Sequence, residues 1–158
     1  MLLAALFSKL LAWNKVNPAG PTAKKYTAMK LFRGMIEDID GLPKAGPGGR
    51  LRGVRPGNCP SPDVTAMNPH DLILPGQGGM SVAPDDPTNL PRHRKPRSLG
   101  GISSDPVWYI EQDQLGPDLR FRQDRSVHGV VEPARPMTLQ EFQDALAWTR
   151  NCWQVHCR

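Results

Sequence analysis

The sequence predicts an α+β domain of short strands, long loops and one strongly marked helix near its end. Short β-compatible runs recur at Met29–Ile36, Met80–Val82, Val107–Ile110, Leu119–Arg122 and Val127–Glu132. A capping box followed by a helical apolar stripe begins at Thr138. Between these, 15 glycines and 17 prolines in 158 residues impose turns instead of long regular elements. With 39% hydrophobic residues, the chain can build one small core.

Taken in order, Met1 to Trp13 is apolar and, as a helix, places Leu3, Leu6, Phe7 and Leu10 on one side. Asn17-Pro18 and Gly20-Pro21 then break the chain. Residues 1–25 therefore read as an N-terminal helix and linker, and residues 26–158 as the domain. The helix packs on the domain, meets a partner or forms a tail. It is shorter than the ~20 residues a bilayer needs and contains Lys9, so no membrane span is expected. A basic front end and a nearby small-residue cleavage site, the marks of a secretory signal, are both missing.

The run from Met29 to Ile36 is the first strand, interrupted by Arg33 near its end. That arginine either sits on an exposed strand face or reaches into a site. Gly41 to Pro75 is the least regular part, and a loop of that length is either functional or hides an element. Asp63 to Met67 reads as a short helical turn. Gly46-Pro47-Gly48-Gly49 lacks the lysine-serine/threonine ending of a phosphate loop. Gly78-Gly79 lets the backbone before Met80-Ser81-Val82 pass close to something bulky, a ligand or, with better odds, another strand.

Ala83 to Arg97 is a polar loop whose second half, Arg92-His93-Arg94-Lys95-Pro96-Arg97, is an anion-attracting patch or a plain solvated loop. Val107 to Ile110 is a short strand, and Leu119 to Arg122 alternates as a half-buried strand does. In the strand Val127 to Glu132, Val127, Gly129 and Val131 share an apolar face and His128, Val130 and Glu132 share the other. At ~3.3 Å per residue His128 and Glu132 stand roughly 13 Å apart, so they line one cleft without touching one reacting atom. Thr138-Leu139-Gln140-Glu141 caps the helix, whose stripe is Leu139, Phe142, Leu146, Thr149 and Trp153.

Three cysteines make no disulfide framework and fit a reducing, cytoplasmic setting. Cys152 and His156 would share a helical face, but no CxxC pair exists and no metal site is expected; the C-terminus reads as frayed. The formal charge of +5 and a pI near 9.4 suit an anionic partner such as a nucleotide, a nucleic acid, an acidic protein or a membrane surface, or simply a soluble basic protein.

Leu31-Phe32-Arg33-Gly34, Gly78-Gly79-Met80-Ser81-Val82, Leu119 to Asp124 and His128 to Met137 together resemble the ADP-ribosyltransferase-like toxin domain of the Tse group of bacterial type VI secretion effectors. The likeness runs from about Leu31 to Arg150. It implies a split antiparallel β-sheet core with flanking helices and long loops, holding NAD between the halves. It also implies a macromolecular target, an immunity protein as partner and delivery into the cytoplasm of a target cell. By motif position, Arg33, Gly34, Gly79 and Ser81 are implied to bind the dinucleotide. Ser81, His128 and Glu132 are implied to be catalytic, with the glutamate favouring the oxocarbenium-like state as nicotinamide leaves. The late strand carries no Gln/Glu-x-Glu pair, and Glu132 adjoins Pro133.

The leading expectation is thus a toxin-like NAD-dependent ADP-ribosyltransferase, or an enzyme that consumes NAD. The alternative is a non-catalytic module docking an acidic protein or nucleic acid through Arg92 to Arg97 and Arg120/Arg122. A third is a domain held by a partner through its N-terminal helix.

Overall fold

Strands β1 (Lys30–Gly34), β3 (Met80–Pro84), β4 (Val107–Glu111), β5 (Leu119–Arg125), β6 (His128–Pro133) and β8 (Gln154–Cys157) form one sheet in the order β5-β6-β3-β1-β4-β8. Every neighbouring pair is antiparallel. Two short strands, β2 (Leu72–Ile73) and β7 (Met137–Thr138), pair separately and lead into helix α1 (Leu139–Trp148). The computed structural model describes residues 27–158. The predicted N-terminal helix and its linker lie outside them. Among the described residues no helix is long and apolar enough to cross a membrane.

The α+β class follows directly, with one α-helix among the described residues where flanking helices were expected. Its start is set as the sequence predicts. Thr138 accepts from the Glu141 N–H at 3.2 Å, and Glu141 accepts from the Thr138 N–H at 2.7 Å. The predicted stripe Leu139, Phe142, Leu146, Thr149 and Trp153 is buried throughout. It packs with Leu31, Met35, Met80, Val82, Trp108, Ile110 and Val131 of the sheet as the main core. The helix itself stops at Trp148, and a 3₁₀ turn carries the chain over Thr149–Cys152. The C-terminus is not frayed: residues 154–157 form β8 against β4, placing Cys152 and His156 on different elements. The opposite face of the sheet buries a smaller cluster, Phe32, Ala83, Leu90 and Val107.

Two further sequence expectations are corrected. Val127 does not begin a strand; it is half exposed in the two-residue turn between β5 and β6, because Arg125 already pairs with His128. Gly129 and Val131 are buried as predicted, and a Cβ at Gly129 would strike the Phe121 ring. Asp63 to Met67 is not a helical turn; Val64 there makes an isolated bridge to Gly78. The long irregular segment earns its order from arginines. Arg52, 2% exposed, donates to the Pro43 carbonyl at 2.9 Å and to the Leu146 carbonyl at the end of α1 at 3.0 Å.

The feature that positions a site is the uneven pairing of β3. Toward β6 it pairs through Met80, Ser81 and Val82. Toward β1 it pairs only through Ala83 and Pro84, opposite Phe32 and Leu31. β1 continues along β4 for five residues, so Arg33 and Gly34 lie beyond the last β3 pairing.

Candidate active site

Arg33 fills the gap where β1 and β3 cease to pair. Its Nη1 donates to the Ser81 carbonyl at 2.6 Å, and its Nη2 to the carbonyls of Gly49 and Leu51, both at 3.1 Å, and of Gly48 at 3.3 Å. Its Nε adds a bond to Leu51. The guanidinium thus replaces the missing ladder and ties the irregular segment to the sheet. It is 6% exposed and, among the described residues, has no carboxylate partner. Burial pulls its pKa down to about 10; Asp63 opposes the fall, and Arg94 and Arg55 add to it. At neutral pH it is still a cation, and a buried cation without a counter-ion attracts an anion strongly.

A cleft of about 190 Å³ opens beside it. Its walls include Arg33 and Gly34 from β1, Ser81 from β3 and His128 from β6, four of the predicted site residues. The segment after β3 forms another wall. It folds as three single 3₁₀ turns at Pro87–Asn89, Arg92–Arg94 and Arg97–Leu99, the first capped by Asp86. It closes on itself through Ile102 N–H to the Arg92 carbonyl at 3.0 Å and Ser103 N–H to the Lys95 carbonyl at 2.9 Å. Arg94 from this segment, with Arg55 and Asp63 from the irregular one, completes the charged lining.

Three guanidiniums therefore face one carboxylate. Asp63 is the only carboxylate lining the cleft among the described residues, and it holds Arg55 at 2.8 Å. Burial, and then the charges of Arg55 and Arg50, lower the pKa of Arg94. Nothing in the sequence marked Arg55 or Asp63, because they come from the segment with no periodic pattern. Arg94 was visible only as part of the basic loop.

The predicted residues separate into groups. The Ser81 hydroxyl has no hydrogen bond among the described residues, while its carbonyl serves Arg33. His128 is one-third exposed, and its Nδ1 lies 2.6 Å from Asp124 Oδ1. Burial would raise the Asp124 carboxyl, but the bond to His128 and the charges of His128 and Arg125 outweigh it and hold the group below the usual range. Gly34 is on the cleft wall, yet the atom against it is protein: a Cβ there would run into the Arg94 carbonyl. Gly79 is outside the cleft lining, and its Cβ would meet the Val131 carbonyl of β6. The close approach read from the glycine pair is to another strand.

Glu132 does not reach the cleft. It is fully buried near the end of β6, opposite Arg120 on β5. Its Oε1 accepts from Arg120 Nε at 2.9 Å, and its Oε2 from Arg122 Nε at 2.8 Å and from the Gly76 N–H at 3.0 Å. Burial pushes its pKa up, but these bonds win and keep it below the usual carboxylate range. The parity that puts His128 and Glu132 on one face is correct. Their separation along β6 leaves one beside the cleft and the other under two arginines. Among the described residues no three metal-ligating side chains cluster.

A family model described as Tse2 ADP-ribosyltransferase toxin matches residues 30–153. The match starts with β1, takes in the cleft and α1, and stops just before β8. No curated protein and no solved structure matches the chain.

Proposed function

The chain belongs to the Tse2 ADP-ribosyltransferase toxin family, and from that premise we propose that the cleft beside Arg33 takes NAD and that the protein transfers its ADP-ribose to a macromolecular acceptor. The observation that carries this reading is the convergence of Arg33, Ser81 and His128, from three strands, where β1 and β3 stop pairing. In this reading the two halves of a split sheet are β5-β6-β3 and β1-β4-β8. They are joined by only two residue pairs and part at Arg33. Delivery into a target cell's cytoplasm and restraint by an immunity protein belong to the same reading.

Each residue type suits its place. Arg33, Arg55 and Arg94 provide the positive field for a pyrophosphate. The free Ser81 hydroxyl offers a hydrogen bond to the sugar or the amide of the nicotinamide end. His128 brings an imidazole nitrogen to the cleft as a proton acceptor. When bound, the dinucleotide supplies the labile glycosidic bond. A cleft of about 190 Å³ is below the ~300 Å³ at which small-molecule pockets usually begin. It accommodates one end of a dinucleotide, the remainder lying along the basic rim or requiring the 87–100 segment to move. Glu132 has a different part: it clamps Arg120 and Arg122 and is a structural anchor.

Nicotinamide release from NAD by the purified full chain tests the reading. Ser81→Ala and His128→Gln should each lower kcat/KM by about 10²-fold or more, with melting temperatures near that of the parent. Parental turnover in both variants would remove these two residues from the reaction.

A further inference from the structure

We propose that Asp124 is a positioning residue for His128: it holds the ring proton on Nδ1 and so keeps the Nε2 lone pair available to the cleft. The inference rests on the transferase reading for its catalytic meaning but on geometry for its physical content. β5 and β6 pair regularly up to Gln123↔Gly129, and the next pair is Arg125↔His128. Two residues of β5 thus advance for one of β6, and Asp124 is the extra one. Such a bulge re-aims a side chain out of the strand's alternation, and bulges concentrate beside functional sites. Here the re-aimed group is a carboxylate whose Oδ1 lies 2.6 Å from His128 Nδ1. An ionised carboxylate only accepts hydrogen bonds, so Nδ1 must be the protonated nitrogen. Nε2 makes no hydrogen bond among the described residues, and the ring lines the cleft with Ser81.

The charged and titratable groups around the ring come from every wall. Asp124 and Arg125 belong to the β5 bulge, Arg33 to β1, His93 and Arg94 to the 3₁₀ segment, and Arg55 and Asp63 to the irregular segment. Among the described residues, Asp124 is the one carboxylate bonded to the ring. In the transfer step, Nε2 takes the proton that the acceptor gives up as its lone pair bonds the ribose C1′. The electron pair of the broken C1′–N bond leaves with neutral nicotinamide. The imidazolium so formed is stabilised by Asp124, which stays ionised.

The test is Asp124→Asn in the full-length protein. The amide keeps the shape of the carboxylate and can turn an N–H toward the ring, which favours the Nε2–H tautomer. Nitrogen-15 spectra of His128 at a pH where the ring is neutral should show Nδ1–H in the parent and a shift toward Nε2–H in the variant. Nicotinamide release should fall by about 10²-fold in kcat with KM little changed. An Nε2–H ring in the parent, or the same tautomer in both proteins, overturns the proposal. A switched tautomer with parental kcat overturns its catalytic meaning. If the parent itself releases no nicotinamide, the transferase reading falls, while the spectra still decide whether Asp124 sets the ring.

Discussion

Arg33 and Glu132 are both buried and charged, and their surroundings give them opposite roles. Arg33 bonds only to carbonyls and keeps an unbalanced positive charge at the cleft. Glu132 is balanced twice over by Arg120 and Arg122 and is not part of the cleft lining. Glu132→Gln should therefore cost about 1.5–3 kcal/mol of stability, measured as a denaturant midpoint at neutral pH. The sign of the pH dependence follows from the depressed pKa of Glu132 in the folded protein. Its contribution is fully present above the unfolded carboxyl value, about 4.3, and disappears as pH falls through the lower folded value. The gap between parent and variant should accordingly narrow on acidification below about pH 4. A constant gap across that range would mean that the carboxylate charge is not what the arginines hold.

At the scale of elements, the 87–100 segment and β1 define the cleft between them. They meet at Gly34, where the Arg94 carbonyl occupies the space a side chain would need. Since the clash is with backbone, no rotamer change relieves it. Gly34→Ala should displace the 3₁₀ turn at Arg92–Arg94, cost about 1–3 kcal/mol and alter KM for the dinucleotide, as thermal melts and nicotinamide-release kinetics would show. Unchanged stability would indicate that the segment sits loosely over β1. Helix α1 belongs to a different category. Its capping box and buried stripe brace the sheet from the face opposite Phe32 and Ala83, and it contributes no residue to the cleft lining.

For the molecule as a whole, Lys9, Lys15, Lys24 and Lys25 account for four of the formal +5 charges and lie outside the described residues, so the positive charge of the cleft is a local concentration. Arg33, Arg55 and Arg94 share one cleft with a single carboxylate among the described residues. A dianionic pyrophosphate approaching that cleft is steered by a field that salt screens with a Debye length of about 10 Å at 0.1 M. KM for the dinucleotide should rise several-fold between roughly 0.05 and 0.5 M salt, while kcat changes less. A salt-independent KM would place the anion elsewhere.

Sequence alone determined the α+β class, the start of α1, the stripe from Leu139 to Trp153 and the alternation of β6 from His128 onward, and it marked a close backbone approach at the glycine pair without deciding between a ligand and a strand. All of these are local. Capping, side-chain period and the absence of a Cβ act within a few residues and leave a readable pattern. Only the tertiary structure decided that β1 leaves β3 after Phe32, that Arg33 takes the place of the missing ladder, and that Asp63 and Arg55 join the cleft from a segment with no pattern. It also decided that Asp124, on a bulge, meets His128, and that Glu132 lies under two arginines. Strand order, register shifts and charge pairing depend on contacts between residues far apart in the chain, and local composition carries no record of which partner burial will supply.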